Sequence, residues 1–255
     1  MHPRLSVNAI CSMKQSLEDD LTLWADLGID NVGLISPKLE LAGWDAARQV
    51  ILDAGLSISS MSCYRDGIVP SLEFAGAIGT PVLYVITGSA GSTPWEEAAE
   101  RFCEEMASHV ARGKELGVRI ALEPTNPLRT DVSFVHCVRD AIDLAVMADM
   151  GVVVDFYSSW YERGLDELVC KHIELVGLVQ ICDYKLGTFD MPNRCALGDG
   201  DIPVERLVEL LLDAGYEGPF DLEILGPRIE AAGYRASIAS SIERAGEMLS
   251  RLGAI

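Results

Sequence analysis

Histidine is nearly absent from this 255-residue chain, occurring only at positions 2, 109, 136 and 172. The last three fall in segments with helical periodicity, away from the ends of the strand-like segments. Ser-His and Cys-His nucleophilic mechanisms need a base beside the nucleophile, so this scarcity argues against them. Basic side chains are also few: 20 Lys and Arg stand against 39 Asp and Glu, a formal charge of −19. Such a surface repels a phosphate backbone, and nucleic acid is not an expected partner. No run of ~18 apolar residues, the length a spanning helix needs, occurs anywhere. The amino-terminal MHPRLSVNAICSMKQS has no apolar export segment, so a soluble, cytoplasmic protein that engages no membrane is expected. The seven cysteines, at 11, 63, 103, 137, 170, 182 and 195, are odd in number and show no C-x-x-C spacing. They read as reduced thiols, not as a disulfide framework or a zinc cluster.

What is present is a regular alternation. Hydrophobic residues make up 49% of the chain, enough for a substantial core. Eight short β-rich runs can be marked: 5–11, 31–36, 57–63, 81–87, 118–124, 151–157, 177–183 and 219–225. Between them lie amphipathic segments such as SLEDDLTLWADLG and GWDAARQVILDAG, each ending at a glycine suited to the left-handed position after a helix. Strands alternating with helices imply parallel pairing through crossovers. Eight such units in a chain of about the ~250 residues typical of a (β/α)8 barrel predict an α/β fold, a single TIM barrel over 1–255. A doubly wound open sheet is the competing architecture.

In such a barrel the chemistry sits at the carboxyl ends of the strands. Four polar side chains fall there on consecutive strands: Glu123 in ALEPTN, Asp155 in VVVDFYSSW, Gln180 in LVQICDY and Glu223 in FDLEIL. Each emerges from an apolar run, where an ionised carboxylate is costly unless its charge is compensated. A divalent cation would compensate all three carboxylates, and an all-oxygen donor set favours Mn²⁺ or Mg²⁺ over Zn²⁺.

These motifs, together with RCALGDGDIP and AGYEGPFDLEIL, resemble the xylose-isomerase-like TIM-barrel family of sugar isomerases and epimerases, which also includes inosose dehydratases. The resemblance implies one divalent metal held by Glu123, Asp155, Gln180 and Glu223, with Glu123 and Glu223 also acting as the acid/base pair. Many members carry His in place of Gln180, while hydroxypyruvate-isomerase-like members use Gln. Many also carry a substrate-binding His where this chain has Ser158, a departure from the ketohexose-epimerase pattern that leaves Ser158 as the candidate substrate-binding residue at that position. Arg194 resembles an arginine that some relatives place over the substrate; an ion pair with Asp199 or Asp201 is the plainer reading. Asp183 and Lys185 are candidates for residues that support the site and its substrate.

LGDGDIP (197–203) carries two aspartates and makes a poor phosphate cradle, so the expected substrate is a small, unphosphorylated polyhydroxylated carbonyl compound. Tyr64, Trp95, Tyr157, Trp160, Tyr161 and Phe189 cluster near the expected top loops, where they either stack on a ligand or simply pack. Cys11, Cys63 and Cys182, also near strand ends, read as small apolar side chains. The expected activity is proton transfer next to a carbonyl, giving isomerisation or epimerisation. A lyase or dehydratase that eliminates from an inosose or 3-keto-glycoside is the rival. A non-catalytic sugar-binding subunit is a third reading, and a homo-oligomer is compatible with each.

Overall fold

The computed structural model describes residues 1–254. Eight parallel strands close on themselves in chain order: β1 (Leu5–Asn8), β2 (Asn31–Ile35), β3 (Ser57–Ser62), β4 (Val82–Val85), β5 (Arg119–Leu122), β6 (Gly151–Asp155), β7 (Val176–Ile181) and β8 (Phe220–Leu222). At least one helix follows each strand, so the expected (β/α)8 barrel is what forms, and the open-sheet alternative falls because β1 pairs with β8. Among the described residues no helix is long and apolar enough to cross a membrane.

The helices begin and end where local chemistry dictates. Ser16 and Asp19 form a reciprocal capping box at the start of Leu17–Leu27, and Gly28 ends that helix at φ 65°. A buried ion pair ties this helix to the next one: the Lys38 ammonium meets Asp20 and also donates to the carbonyls of Ala9 (2.9 Å) and Ser12 (3.0 Å).

Side-chain alternation sorts each strand into two faces. Ile120, Leu122, Val152, Val154, Val179, Ile181, Phe220 and Leu222 point outward into the main core beneath the helices. Val82, Tyr84, Ala121, Val153 and Leu178 form a separate apolar plug inside the barrel. Beside it lies a buried polar layer, in which Ser6 and Asn8 donate to the two carboxylate oxygens of Asp221, the latter at 2.7 Å. Gly33 faces this layer, and a Cβ there would sit 2.7 Å from Asn8 Nδ2 and 2.9 Å from Asp221 Oδ2, so no larger residue fits without displacing them.

Several strands stop short of their sequence runs. Ala9–Ser12 turns into a 3-10 segment because the Asn8 side chain accepts from Ile10 N–H (3.0 Å), and Phe156–Ser159 becomes a helical turn capped by Asp155. Past the paired residues, the ladder continues by single bonds from Glu123 N to Val85 O (2.9 Å) and from Glu223 N to Ile181 O (3.0 Å). Those bonds fix both glutamates at the rim.

Candidate active site

Glu123, Asp155, Gln180 and Glu223 sit two residues beyond the inward positions Ala121, Val153, Leu178 and Asp221 on their strands, and period-2 alternation therefore turns all four to the barrel axis. Asp155 and Gln180 are direct register partners across β6 and β7. Glu123, Asp155 and Glu223 line a cavity of about 260 Å³ at the carboxyl ends of the strands, while Gln180 is fully buried beneath it.

Arg194 is the cation of this cluster. Its Nη1 and Nη2 donate to Asp155 Oδ1 (3.2 Å) and Oδ2 (3.1 Å), and Nη2 lies 2.8 Å from Glu223 Oε1. Nη1 also donates to the Glu223 carbonyl (2.8 Å), and the guanidinium stacks 4.6 Å from the Tyr157 ring centroid. The plainer sequence reading of Arg194 is thus corrected. Asp199 pairs instead with Arg244 (2.6 Å), and Asp201 lies 3.9 Å from Lys185.

Burial raises the two glutamates of this cluster. Glu123 is held well above the usual carboxylate range, first by desolvation and then by the negative charges of Glu223 and Asp155. Glu223 is pushed up to about 7, again chiefly by burial, with Arg194 working in the opposite direction. Tyr84, whose phenolic oxygen accepts from Asn8 Nδ2 (3.1 Å), is buried at the cavity wall and held well above its ordinary value, so it stays a neutral hydroxyl. Desolvation pushes the Cys63 thiol up to about 12 and raises Cys11 and Cys182 as well, which suits the reading of these cysteines as apolar packing.

Among the described residues, no three His, Cys, Asp or Glu side chains converge as a metal-holding group. Asp155 and Glu223 turn to Arg194, and Gln180 Nε2 donates to Glu223 in a short hydrogen bond. The donor set nevertheless suits a hard cation. Gln180 Oε1 is buried with no hydrogen-bond partner, two carboxylates already converge on one positive group, and every donor is oxygen.

The other candidates divide. Asp183 lies outside the cavity lining: its carboxylate accepts from the backbone N–H groups of Tyr184 (2.8 Å), Gly198 (2.9 Å), Gly200 (2.9 Å) and Ile202 (3.1 Å). It thereby organises the segment that carries Arg194. Ser158 is buried behind Asp155 and donates to Pro124 O (3.1 Å), while Lys185 is half-exposed at the surface. His136 belongs to the loop after β5, not to a helix; its Nδ1 lies 3.2 Å from the carbonyl of Thr125, which lines the cavity. Its neighbours PTN and VSFVHC carry no helical period, the signal that could have placed it. Arg129 and Asn126, which also line the cavity, had no distinguishing pattern in the sequence.

Known proteins place this geometry in context. A Streptomyces coelicolor protein provisionally named a hydroxypyruvate isomerase is 24% identical over 221 residues, covering 74% of this chain and 76% of its own. The IolI protein, solved with a bound zinc atom, superposes with a TM-score of 0.82 at 15% identity over 99% of this chain and 100% of its own. The D-psicose 3-epimerase of Clostridium cellulolyticum, solved with D-tagatose, superposes with a TM-score of 0.78 at 13% identity, covering 96% and 99% of the two chains. The sequence profile described as xylose isomerase-like TIM barrel matches residues 21–244. With an eight-stranded closed barrel beneath that match, the chain belongs to the xylose isomerase-like TIM barrel family.

Proposed function

We propose that the chain is a sugar or polyol isomerase or epimerase that moves a proton at the carbon next to a carbonyl. The observation that carries this reading is the presence of Glu123 and Glu223 in one cavity at the carboxyl ends of the strands, beside a buried guanidinium. A general acid or base must stand within hydrogen-bond reach of the proton it moves, and two carboxyls lining one cavity supply such a pair for a single substrate. The isomerase name of the Streptomyces relative, and an epimerase built on the same fold, support the choice of reaction class.

Glu123, Asp155, Gln180 and Glu223 are the residues we assign to one divalent ion, Mn²⁺ or Mg²⁺, which when bound supplies Lewis-acid stabilisation of negative charge on substrate oxygen. Glu123 and Glu223 remove and return the proton from opposite faces of the substrate carbon. Arg194, anchored by Asp155, donates to a substrate oxygen through charge-assisted hydrogen bonds. Tyr84 stays protonated and offers a neutral donor at the wall, and Pro37, Val85 and Leu225 limit water around the reacting carbon.

The test is deuterium wash-in from D₂O, followed by proton NMR, over a panel of ketoses, inososes and 3-keto-glycosides with added Mn²⁺ or Mg²⁺. Exchange beside the carbonyl with an isomeric product is the expected result. Release of an enone or aglycone would replace isomerisation by elimination, which begins with the same proton abstraction. No exchange on any member would leave a binding protein, and the enzymatic reading would fall.

A further inference from the structure

The carboxylate cavity does not end at its own rim. Asn126, Tyr157 and Met191 line it, and the same three residues line a second cleft of about 300 Å³. The rest of that cleft is built from the loops after β5, β6 and β7, and its character is different. Trp160, Tyr161, Tyr184, Leu186 and Phe189 supply most of its wall, and no Lys, Arg or His takes part. Its one acid, Asp190, already accepts from Asn193 Nδ2 (2.9 Å).

Exposure makes this composition informative. Phe189 is 89% exposed, Leu128 75%, Leu186 60% and Tyr161 53%. Scattered apolar side chains on a surface need no explanation, but this group gathers around one concavity beside a catalytic cavity. The walls are also braced: Tyr157 stands edge-on to Tyr184 (5.7 Å, 79°) and Trp160 edge-on to Tyr161 (5.8 Å, 86°). The Tyr184 hydroxyl donates to the Thr188 carbonyl, tying down the loop that presents Leu186 and Phe189. A preformed, ring-sized cleft with no cationic side chain suits a flat apolar group and offers a phosphate or carboxylate nothing. A second copy of the chain would bring the same formal charge of −19 to this face.

We propose that this cleft is a subsite for an aryl or similarly flat apolar group, carried by a substrate whose polyhydroxylated head occupies the carboxylate cavity. The identity of the head rests on the isomerase reading; the cleft's preference for a ring does not.

The test compares phenyl β-D-glucopyranoside with methyl β-D-glucopyranoside by isothermal titration calorimetry, on the whole chain in the presence of Mn²⁺. Burying the ring should make the phenyl compound bind about tenfold tighter or better. Phe189→Ala and Trp160→Ala should each cut that preference to about twofold or less, whereas Arg101→Ala, on the exposed face of the helix Trp95–Leu116, should keep it. Phe189 is exposed enough that its variant should fold, so the comparison stands even if Trp160→Ala does not. Equal affinities, no measurable binding of either compound, or a preference that survives Phe189→Ala would overturn the subsite. So would sedimentation showing a dimer that Phe189→Ala dissociates, since the occupant would then be a second copy. An aryl preference without proton exchange on any carbonyl substrate would keep the cleft and remove the isomerase reading; exchange on free ketoses without aryl preference would do the reverse.

Discussion

Arg194 grips Asp155 with both terminal nitrogens, Nη1 to Oδ1 at 3.2 Å and Nη2 to Oδ2 at 3.1 Å, although the two residues lie 39 positions apart. Both side chains are almost fully buried, and a buried charge is tolerated only when paired and hydrogen-bonded. The pair has a consequence for ligand binding. A divalent ion held as proposed would draw on the same carboxylate oxygens as the guanidinium, so the arginine that organises the acids would also compete for them.

Metal binding is the direct check on that competition. The wild-type chain should take up about one Mn²⁺, and Asp155→Ala should abolish uptake because it removes an anionic ligand. Arg194→Met should tighten Mn²⁺ by about tenfold in the absence of substrate, since the carboxylates lose their resident cation. Calorimetric titration of the three proteins reads this. Weaker binding in Arg194→Met would show the guanidinium to be a support for the site and not a rival.

The two glutamates should separate chemistry from binding. Glu123→Gln and Glu223→Gln each keep a side-chain oxygen but lose a base, so turnover should fall by ~10²-fold or more. One of them, whichever lacks only the group that returns the proton, should still wash deuterium into the substrate without forming product. Proton NMR of both variants with one substrate decides it, and wild-type turnover in both would reduce the glutamates to structural roles.

Away from the site, the Asp20–Lys38 pair predicts a pH-dependent stability. Burial pushes the Asp20 carboxyl up to about 6, above its ordinary 3.8, so its contribution to stability is full at low pH and is lost as pH rises through about 6. Lys38 opposes that shift by its charge and its hydrogen bond to Asp20. Lys38→Met should therefore cost about 3–5 kcal/mol at pH 8, where Asp20 would be an uncompensated buried charge, and much less at pH 5. Denaturant unfolding at the two pH values measures the difference; an equal loss at both would mean that packing, not charge, governs the pair.

The barrel and the inward direction of its four polar rim residues were legible in the chain itself. Period-2 alternation in VVVDFY, LVQICD and FDLEIL, with helical periods closing at glycines such as Gly28, is a local property of the backbone. A strand that buries Val154 outward must turn Val153 and Asp155 inward, whatever the rest of the fold does. Proximity across the chain has no such period. That Arg194 meets Asp155 and Glu223 instead of Asp199, that Asp183 serves the backbone of its own loop, and that His136 leaves a helix for the rim were decided by tertiary structure. So was the aromatic cleft, because loops after β5, β6 and β7 meet only once the barrel has closed. Local patterning fixes which way a side chain faces, and only the closed fold fixes which charge or ring it finds there.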